Sequence, residues 1–376
     1  LASLDGATRK TGLEHLRASV TALEDWIAQA ELAHLMAVAP LPHGWGRVDR
    51  EAPADEASGV RSLPPEARAR VEAAETRASF SSWASGAPEA SVRDERADDA
   101  LTPDAEAETP EAGLFAFAAG PRAGTCLHEI LETAVFRVPE SYRDLDSSNS
   151  QAVARVLRRH GLHDGASRVH RAPCEPLADV SDMVATLAET ELPGLGFALK
   201  DVPRGGFAPE WRFVAPLASV APAQIADLFR EHGDDTLQPY AEVVARLAPE
   251  AARGLFVGSA DLVVQHPDED RWSLVDWKSN HLGPTPAHYG PEPLARTMRA
   301  HHYLLQAHLY VAGLHRHLRT RLADYDYDRH VGSAAYVFLR GIAPESETGL
   351  HVVQPPRALI EALDALLFAP LAPEAE

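Results

Sequence analysis

The chain has 376 residues, 45% of them hydrophobic, which is ordinary for a globular protein with a sizeable core. It has no apolar run long enough to span a membrane and no charged-then-apolar leader, and its two cysteines lack the spacing of a zinc or iron–sulfur site. These features predict a reducing, cytoplasmic location and no membrane partner. The formal charge of −20 weighs against a nucleic-acid partner, although the Arg- and His-rich stretch 296–340 allows a local basic surface. Because the chain begins with Leu1 rather than Met, we expect a fragment or a processed product.

The sequence before residue 113 divides into two segments. Apolar residues recur at intervals of three and four between residues 13 and 30, which predicts an amphipathic helix within residues 1–36. Residues 37–112 are rich in Ala, Pro, Glu, Asp, Arg and Ser, and they predict a disordered acidic linker. Only a short island in it, residues 78–85, is a candidate for local docking.

Residues 113–376 have the pattern of one folded domain. The apolar face between Leu127 and Val135 predicts a helix that is entered through Gly124 and Thr125. Further helices are predicted over residues 153–162, 180–192, 297–322 and 357–367. Strands are predicted over residues 209–217, 255–265, 272–280 and 333–340. The expected architecture is an α/β fold with helices around a mixed sheet.

The strands 255–265 and 272–280 are joined by the turn HPDED and should form an antiparallel hairpin. A turn that is symmetric about residues 268–269 places Asp261 opposite Asp276, with Cβ atoms roughly 4.5–5.5 Å apart. Two such carboxylates repel each other unless a cation lies between them, and a hard divalent cation with oxygen ligands is the natural occupant. Lys278 follows two residues after Asp276 and projects from the same face. A metal between carboxylates with an ammonium beside it suits hydrolysis of a phosphodiester.

The alternative for Asp-x-Lys on a strand is a solvated face without function. Two observations favour a site. Val275 and Trp277 occupy the opposite, apolar face of the same strand, and lysine is rare in this chain, with Lys278 one of only three against 32 arginines. A lysine kept against that bias indicates a place where the broad fork of arginine cannot replace a compact ammonium.

The hairpin with its D…(D/E)-x-K pattern resembles the PD-(D/E)XK nuclease superfamily. The longer strings GSADLVV, LVDWKSNHLG, GTCLHEILE, ADYDYDRH and YVFLRG are similar to the C-terminal nuclease domain of the RecB family, over roughly residues 115–367. The resemblance implies a restriction-endonuclease-like core with a mixed central sheet flanked by helices, preceded by the disordered acidic linker. It also implies that residues 1–36 are the helical remnant of an upstream helicase region.

Carried over by position, the resemblance implies a metal site with four ligands. These are His128, Asp261, Asp276 and the backbone carbonyl of Trp277. Lys278 takes the place of the catalytic lysine. Glu210 matches the acidic residue that precedes the hairpin and is implied to organise metal or water.

Gln306 and Tyr310 match a Q-x-x-x-Y element, which the resemblance implies to border the active site and to contact DNA. Each assignment has a plainer alternative: His128 as a packed histidine, Glu210 as a surface strand residue, and Gln306 and Tyr310 as polar residues on a helix face. The histidines between residues 301 and 317 do not have the spacing of a metal cluster, so we expect them on a solvated face or in weak phosphate contacts.

The function implied is that of a Mg²⁺-dependent exodeoxyribonuclease domain, with one or two metal ions, acting on DNA strands delivered from duplex ends. The implied partners are DNA and subunits like RecC and RecD, in double-strand-break repair. No phosphate-binding G-x-x-x-x-G-K-[ST] loop is present, so ATP would act only through a helicase region outside this sequence. Two alternatives stay open: a non-catalytic DNA-tracking or scaffold module, and a stand-alone restriction-like endonuclease.

Overall fold

A computed structural model of the chain describes residues 77–78, 112–164, 174–247, 252–343 and 348–368. The predicted helix within residues 1–36 lies outside the described residues, and so does nearly all of the linker 37–112. The domain boundaries therefore stay a prediction. Three linker residues are described: Ala112, and the pair Arg77–Ala78, which forms a short strand, β1. Ala78 is the first residue of the island that was a candidate for docking.

Ten α-helices occur in the described part of the chain. They are α1 Pro121–Glu132, α2 Glu140–Arg143, α3 Ser148–Arg159, α4 Pro176–Glu189, α5 Pro222–His232, α6 Leu237–Val244, α7 Pro291–Ala300, α8 Tyr303–Arg321, α9 Tyr327–His330 and α10 Arg357–Leu367. Three short 3₁₀ helices lie at Gly113–Phe115, Leu199–Asp201 and Pro286–Tyr289. None of the helices in the described ranges has the length and apolar character needed to cross a membrane.

Seven strands follow β1. They are β2 Glu191–Leu192, β3 Phe197–Ala198, β4 Phe207–Val220, β5 Ala252–Gln265, β6 Trp272–Lys278, β7 Val331–Phe338 and β8 Leu350–Val353. β2 and β3 form a small sheet of their own. The main sheet has the order β1-β5-β6-β7-β8, with β4 also paired to β5. β6 and β7 run parallel, as do β1 and β5, and the other pairs are antiparallel, so the predicted mixed sheet is confirmed.

Helices cover both faces of the main sheet and create two separate cores. The first core joins one face to α5, α6, α7, α8 and α10. The second core joins the other face to α1, α2, α3 and α4. The predicted architecture, an α/β fold with a sheet flanked by helices, is therefore confirmed.

The predicted register of the β5–β6 hairpin is confirmed. Its paired residues run from Gln265 with Trp272 to Leu262 with Val275, so that Asp261 and Asp276 come next in register, one step beyond the last regular pair. The sequence alternation was sufficient here, because one slip of register would move every apolar side chain to the wrong face.

The alternation of β5 changes phase at Asp261. Before that residue, Phe256 and Ala260 belong to the first core. After it, Leu262 and Val264 belong to the second core, although side chains with even numbers should share one face along a regular strand. The strand therefore turns about its axis at Asp261, where the carboxylate is needed at the edge between the two layers.

The partner strand β4 is irregular at the same level. Pro209 pairs with Leu262 and Trp211 with Ala260, which leaves Glu210 across from Asp261. Glu210 has φ 48°, in the left-handed region that non-glycine residues rarely adopt. Backbone strain of this kind costs about 1–3 kcal/mol and is concentrated at functional sites.

Two helix predictions were wrong. The first helix begins at Pro121, after Gly120 with φ 98°, so Gly124 and Thr125 lie inside α1, and Val135 lies beyond its end. A glycine with positive φ followed by proline at the first helical position is the stronger start signal. The predicted helix 297–322 is two helices, α7 and α8, because His302 adopts φ 59° and breaks the run.

Candidate active site

The site lies where β5 and β6 stop pairing. Beyond Leu262 and Val275 the ladder ends, and the Asp261 side chain replaces it by accepting a hydrogen bond from the Trp277 amide at 2.8 Å. Glu210 on β4 lies across from Asp261 on the other side of β5. The three acidic residues that the sequence identified thus stand at one level of three neighbouring strands.

Asp261 is held by contacts to both of its oxygens. Its Oδ1 lies 3.1 Å from Nδ1 of His128, a buried residue of α1, and its Oδ2 accepts from the Trp277 amide. Burial alone would raise the pKa of Asp261, but the charge and hydrogen bond of His128, the Lys278 ammonium and the Trp277 amide together hold that pKa below its ordinary value. Asp261 is therefore an anion in the folded chain.

The pKa of Asp276 is shifted in the opposite direction from that of Asp261. Burial raises its pKa to about 6, repulsion from Asp261 adds to this effect, and Lys278 opposes it. Its Oδ2 lies 2.7 Å from Nζ of Lys278, as an ion pair. Within the described residues this buried oxygen accepts no well-aligned hydrogen bond. The two neighbouring carboxylates therefore have pKa values that are shifted in opposite directions.

The Lys278 ammonium is surrounded on several sides. Besides Asp276, it donates to Oε1 of Gln306 at 3.2 Å, and the same oxygen accepts from the Tyr336 hydroxyl at 3.0 Å. Nζ also lies 3.8 Å from the ring centroid of Tyr303 and 5.4 Å from that of Tyr336. Lys278 is only 5% exposed. The lysine is therefore fixed in one position before any substrate arrives.

Gln306 and Tyr310 lie one turn apart on α8, as predicted, but both are buried in this conformation. Gln306 is 0% exposed and contacts Lys278, whereas Tyr310 is 3% exposed and packs edge-on against Phe213. Gln306 thus borders the predicted site. Contact of the pair with DNA stays a prediction, and neither side chain presents a surface for it here.

The sequence-based interpretation missed both tyrosines that touch Lys278. Tyr303 lies three residues before Gln306 on α8, so it shares that helix face, and Tyr336 on β7 is the register partner of Asp276. Helical spacing from Gln306 could have found Tyr303. No sequence signal fixes the β6–β7 register, because a helix-rich crossover separates these parallel strands.

The donor chemistry at the site fits a hard divalent cation. Carboxylates of Asp261 and Asp276, the imidazole of His128 and a backbone carbonyl at Trp277 are all ordinary metal ligands, and the buried Oδ2 of Asp276 is balanced by the Lys278 ammonium at 2.7 Å. The ligands are not yet assembled, however. Across the described ranges no three His, Cys, Asp or Glu side chains are grouped as a ready metal site. His128 contacts Asp261, and Lys278 contacts Asp276. A metal would replace part of these contacts.

Two of the five histidines between residues 301 and 317 are buried in α8, which corrects the expectation of a solvated face for these two, whereas His301, His302 and His317 are partly exposed. His308 and His315 are 1% and 2% exposed, and burial lowers the pKa of His308 to about 4, so its ring is neutral. Nδ1 of His308 contacts the Leu304 carbonyl, and His315 contacts the Tyr325 hydroxyl. These rings are packing residues of the first core.

Several basic residues of the stretch 296–340 are also engaged internally. Arg316 and Arg319 both pair with Asp364, and Arg329 pairs with Asp324. The local basic surface expected from this stretch is therefore smaller than its composition indicates.

Arg340, in the YVFLRG string, connects the start of the domain to the site. It is 2% exposed, and its guanidinium donates to the carbonyls of Leu114, Phe117 and Ala118 as well as to that of Ser279, the residue after Lys278. Five fixed donors of one guanidinium suit such a set of carbonyls. The segment leading to α1 and its His128 is thereby tied to the end of β6.

Comparison with known proteins agrees with this geometry. The family model of the PD-(D/E)XK nuclease superfamily matches residues 105–369. The RecBCD enzyme subunit RecB of Mycobacterium tuberculosis is 33% identical over an alignment of 289 residues, and the match covers 68% of this chain and 24% of that protein. RecB of Escherichia coli K12 is 31% identical over an alignment of 261 residues, and the match covers 69% of this chain and 20% of that protein. RecB of Mycolicibacterium smegmatis is 31% identical over an alignment of 314 residues, and the match covers 76% of this chain and 27% of that protein. The chain thus spans about a quarter or less of the length of the relatives it matches. It belongs to the PD-(D/E)XK nuclease superfamily and contains a domain similar to the C-terminal nuclease domain of RecB.

Proposed function

We propose that the chain is a Mg²⁺-dependent DNA nuclease domain, an exodeoxyribonuclease that hydrolyses phosphodiester bonds of strands delivered from duplex ends. The observation that carries the proposal is the convergence of Asp261, Asp276 and Lys278, with Glu210 at the same level and His128 on Asp261. A buried lysine ion-paired with a buried carboxylate, beside a second, half-buried carboxylate at the end of an irregular hairpin, is costly to fold and suits phosphoryl chemistry.

The residues have distinct roles in the proposed reaction. His128, Asp261, Asp276 and the Trp277 carbonyl would hold the metal, which when bound would supply a Lewis acid for the phosphoryl group. Lys278 orients the attacking water and offsets the charge that develops on the phosphate. Gln306 keeps the ammonium in place through its Oε1. Glu210, held on strained backbone, organises the metal or water from the neighbouring strand.

The likeness to RecB subunits supports a setting for this activity. We propose that the full protein works in a RecBCD-type complex, with partners equivalent to RecC and RecD, in cytoplasmic repair of double-strand breaks. ATP would act through a helicase region of that full protein. Within it, residues 1–36 would be the end of the helicase region, residues 37–112 the tether, and residues 113–376 the nuclease.

The test is cleavage of single-stranded, linear duplex and closed circular DNA by the purified chain, with Mg²⁺ or with EDTA. We expect linear strands to be degraded only with Mg²⁺ and closed circles to be spared. Asp261→Asn should be inactive, whereas Asp364→Asn, a matched change at a buried carboxylate on α10, should cleave normally. Binding of DNA without cleavage under every metal condition would instead identify a scaffold module, and cutting of closed circles a stand-alone endonuclease.

A further inference from the structure

The Lys278 ammonium lies in a small pocket, here called its seat, that is formed by an aromatic ring as well as by polar partners. One side is the Asp276 carboxylate and another is the Gln306 amide oxygen, while the Tyr303 ring lies 3.8 Å from Nζ. We propose that Tyr303 is a positioning residue, whose aromatic face fixes the Lys278 ammonium for the reaction. This inference rests on the proposed nuclease function.

The ring is well placed for a cation–π contact. An ammonium within about 6 Å of a tyrosine centroid is attracted by the negative face of the ring, and the attraction is strongest where water is excluded. Lys278 and Tyr303 are 5% and 3% exposed, so this contact lies at the strong end of its range. The more distant Tyr336 ring, 5.4 Å from Nζ, adds a weaker contact.

Tyr303 cannot swing away, because its own position is fixed on several sides. Its ring stacks on Tyr336 at 5.8 Å and on His301 at 5.3 Å, and its hydroxyl donates to Oδ1 of Asn280 at 3.3 Å. The left-handed His302 directly before it separates α7 from α8 and sets the direction in which the first residue of α8 points. The break in the helix thus has a consequence at the site: it delivers an aromatic ring to the lysine.

A rigid face matters because lysine is a flexible chain with a compact head. Two polar contacts restrain the head, yet the methylene stem retains rotamers that a broad flat surface can exclude. With the ring in place, the ammonium has one stable position, between the carboxylate and the amide oxygen. Arginine is too broad for this seat, because its planar fork is wider than an ammonium and the Asp276 and Gln306 oxygens already lie 2.7 Å and 3.2 Å from Nζ.

The first measurement needs no activity. The chain contains three lysines, Lys10, Lys200 and Lys278, so selective ¹³C labelling of lysine gives three ε-methylene signals in a spectrum of the full chain. Above an aromatic face, the Lys278 signal should be shifted upfield of the other two, and Lys278→Arg identifies it by its loss. We expect Tyr303→Phe to keep the upfield shift and Tyr303→Leu to abolish most of it. A Lys278 signal without an upfield shift in the unaltered chain would overturn the proposal.

The second measurement separates positioning from packing. With Mg²⁺ and saturating single-stranded DNA, Tyr303→Leu should lower the cleavage rate constant about tenfold to thirtyfold, with DNA affinity unchanged within about twofold. Tyr303→Phe should stay within about threefold of the unaltered chain. Tyr327→Leu is the matched control, since it removes a ring that is 4% exposed and contacts His315, and it should change neither the Lys278 signal nor the rate.

The outcomes are distinguishable. Equal losses in Tyr303→Phe and Tyr303→Leu would assign the role to the hydroxyl and Asn280, which overturns a role of the ring, and so would a normal rate in Tyr303→Leu. If Tyr303→Leu does not fold, the unaltered chain and Tyr303→Phe still decide the matter through the Lys278 signal and the rate. If the unaltered chain cleaves no DNA, the proposed function fails, while the spectra still decide whether the ring seats the lysine.

Discussion

Two buried carboxylates of this chain are paired with cations in different ways. Asp364 on α10 is 4% exposed, and each of its oxygens accepts from a different arginine of α8, Arg316 at 3.0 Å and Arg319 at 2.7 Å. Asp276 is 6% exposed, shares one lysine with the neighbouring Asp261, and keeps an oxygen without an aligned hydrogen bond. The first carboxylate thus has an arginine on each oxygen, whereas the second shares its lysine with a neighbouring carboxylate.

This difference in pairing indicates different roles for the two carboxylates. A buried charge is stable when its hydrogen-bonding capacity is filled, as at Asp364, where the pair links two helices of the first core. A buried carboxylate beside a second carboxylate is favoured by a bound cation or a proton, and burial together with repulsion from Asp261 raises the pKa of Asp276. A structural ion pair and a proposed catalytic one can thus be separated by how completely their oxygens are satisfied.

The largest expected effect is the loss of cleavage at Asp276. Asp276→Asn keeps the shape of the side chain but removes the charge that holds a metal, so we expect the rate to fall by at least about 10³-fold. The fold should persist, because Lys278 retains Gln306 and the Tyr303 ring. Circular dichroism and cleavage of linear DNA measure both effects. Normal cleavage by a folded variant would contradict the site, and so would an equal loss in Asp364→Asn.

The next effect concerns the cation itself. Arginine is the ion-pair partner of Asp364, but it should not be able to replace the lysine beside Asp276. Lys278→Arg should therefore lower the cleavage rate by about 10²–10³-fold although it keeps the charge. The guanidinium is wider than the seat between Asp276, Gln306 and the Tyr303 ring. The rate constant at saturating DNA and Mg²⁺ is the measurement. Near-normal turnover would mean that only bulk positive charge is needed at this position.

The free energy of unfolding should depend on pH through the raised pKa of Asp276. Burial raises the pKa of Asp276 from 3.8 to about 6, so the folded chain keeps a proton that the unfolded chain releases. This group therefore stabilises the fold fully below about pH 4 and loses that contribution as the pH rises through 6. Relative to the unaltered chain in EDTA, Asp276→Asn should gain up to about 3 kcal/mol in free energy of unfolding between pH 4 and pH 7. Urea unfolding of both proteins across that range is the measurement, and a difference that stays constant with pH would contradict it.

The sequence predicted the elements that carry long, regular apolar patterns. The β5–β6 register followed from the alternation on both strands and the length of the turn, and α10 was predicted with the bounds it has. The sequence did not predict that the alternation of β5 changes phase at Asp261 or that β4 is irregular at Glu210. Both strands depart from regular geometry at the same level, and apolar residues continue on either side of it. The break at His301 and His302 was missed because the helical spacing of α7 continues into α8.

For the candidate site, the proximity of Asp261, Asp276 and Lys278 could be predicted, but the partners of these residues could not. Asp261, Asp276 and Lys278 are on strands whose spacing is visible in the sequence. Spacing along α8 shows that Gln306 and Tyr310 share a face, yet it cannot tell whether that face meets DNA or the core. Burial depends on how β7 and α8 pack, which involves residues far apart in the chain. The same limit applies to Arg340, which looked basic in the sequence and is a buried donor to carbonyls.

The smallest expected effect on cleavage is that of changing Asp364, whose two oxygens each accept from an arginine. Asp364→Asn removes the negative charge from between Arg316 and Arg319, and the new amide group turns a donor toward one guanidinium. A hydrogen bond to a charged group contributes about 1.5–3 kcal/mol, but these arginine side chains are 30% and 47% exposed and can be solvated again. We therefore expect a loss of about 1–2 kcal/mol in the free energy of unfolding, measured by urea at pH 7 with an unchanged slope. Cleavage should remain normal, since α8 keeps its other contacts to the first core near Tyr303. A loss of cleavage without a loss of stability would mean that the α8–α10 link also positions Lys278, and the separation of structural from catalytic ion pairs would then fail.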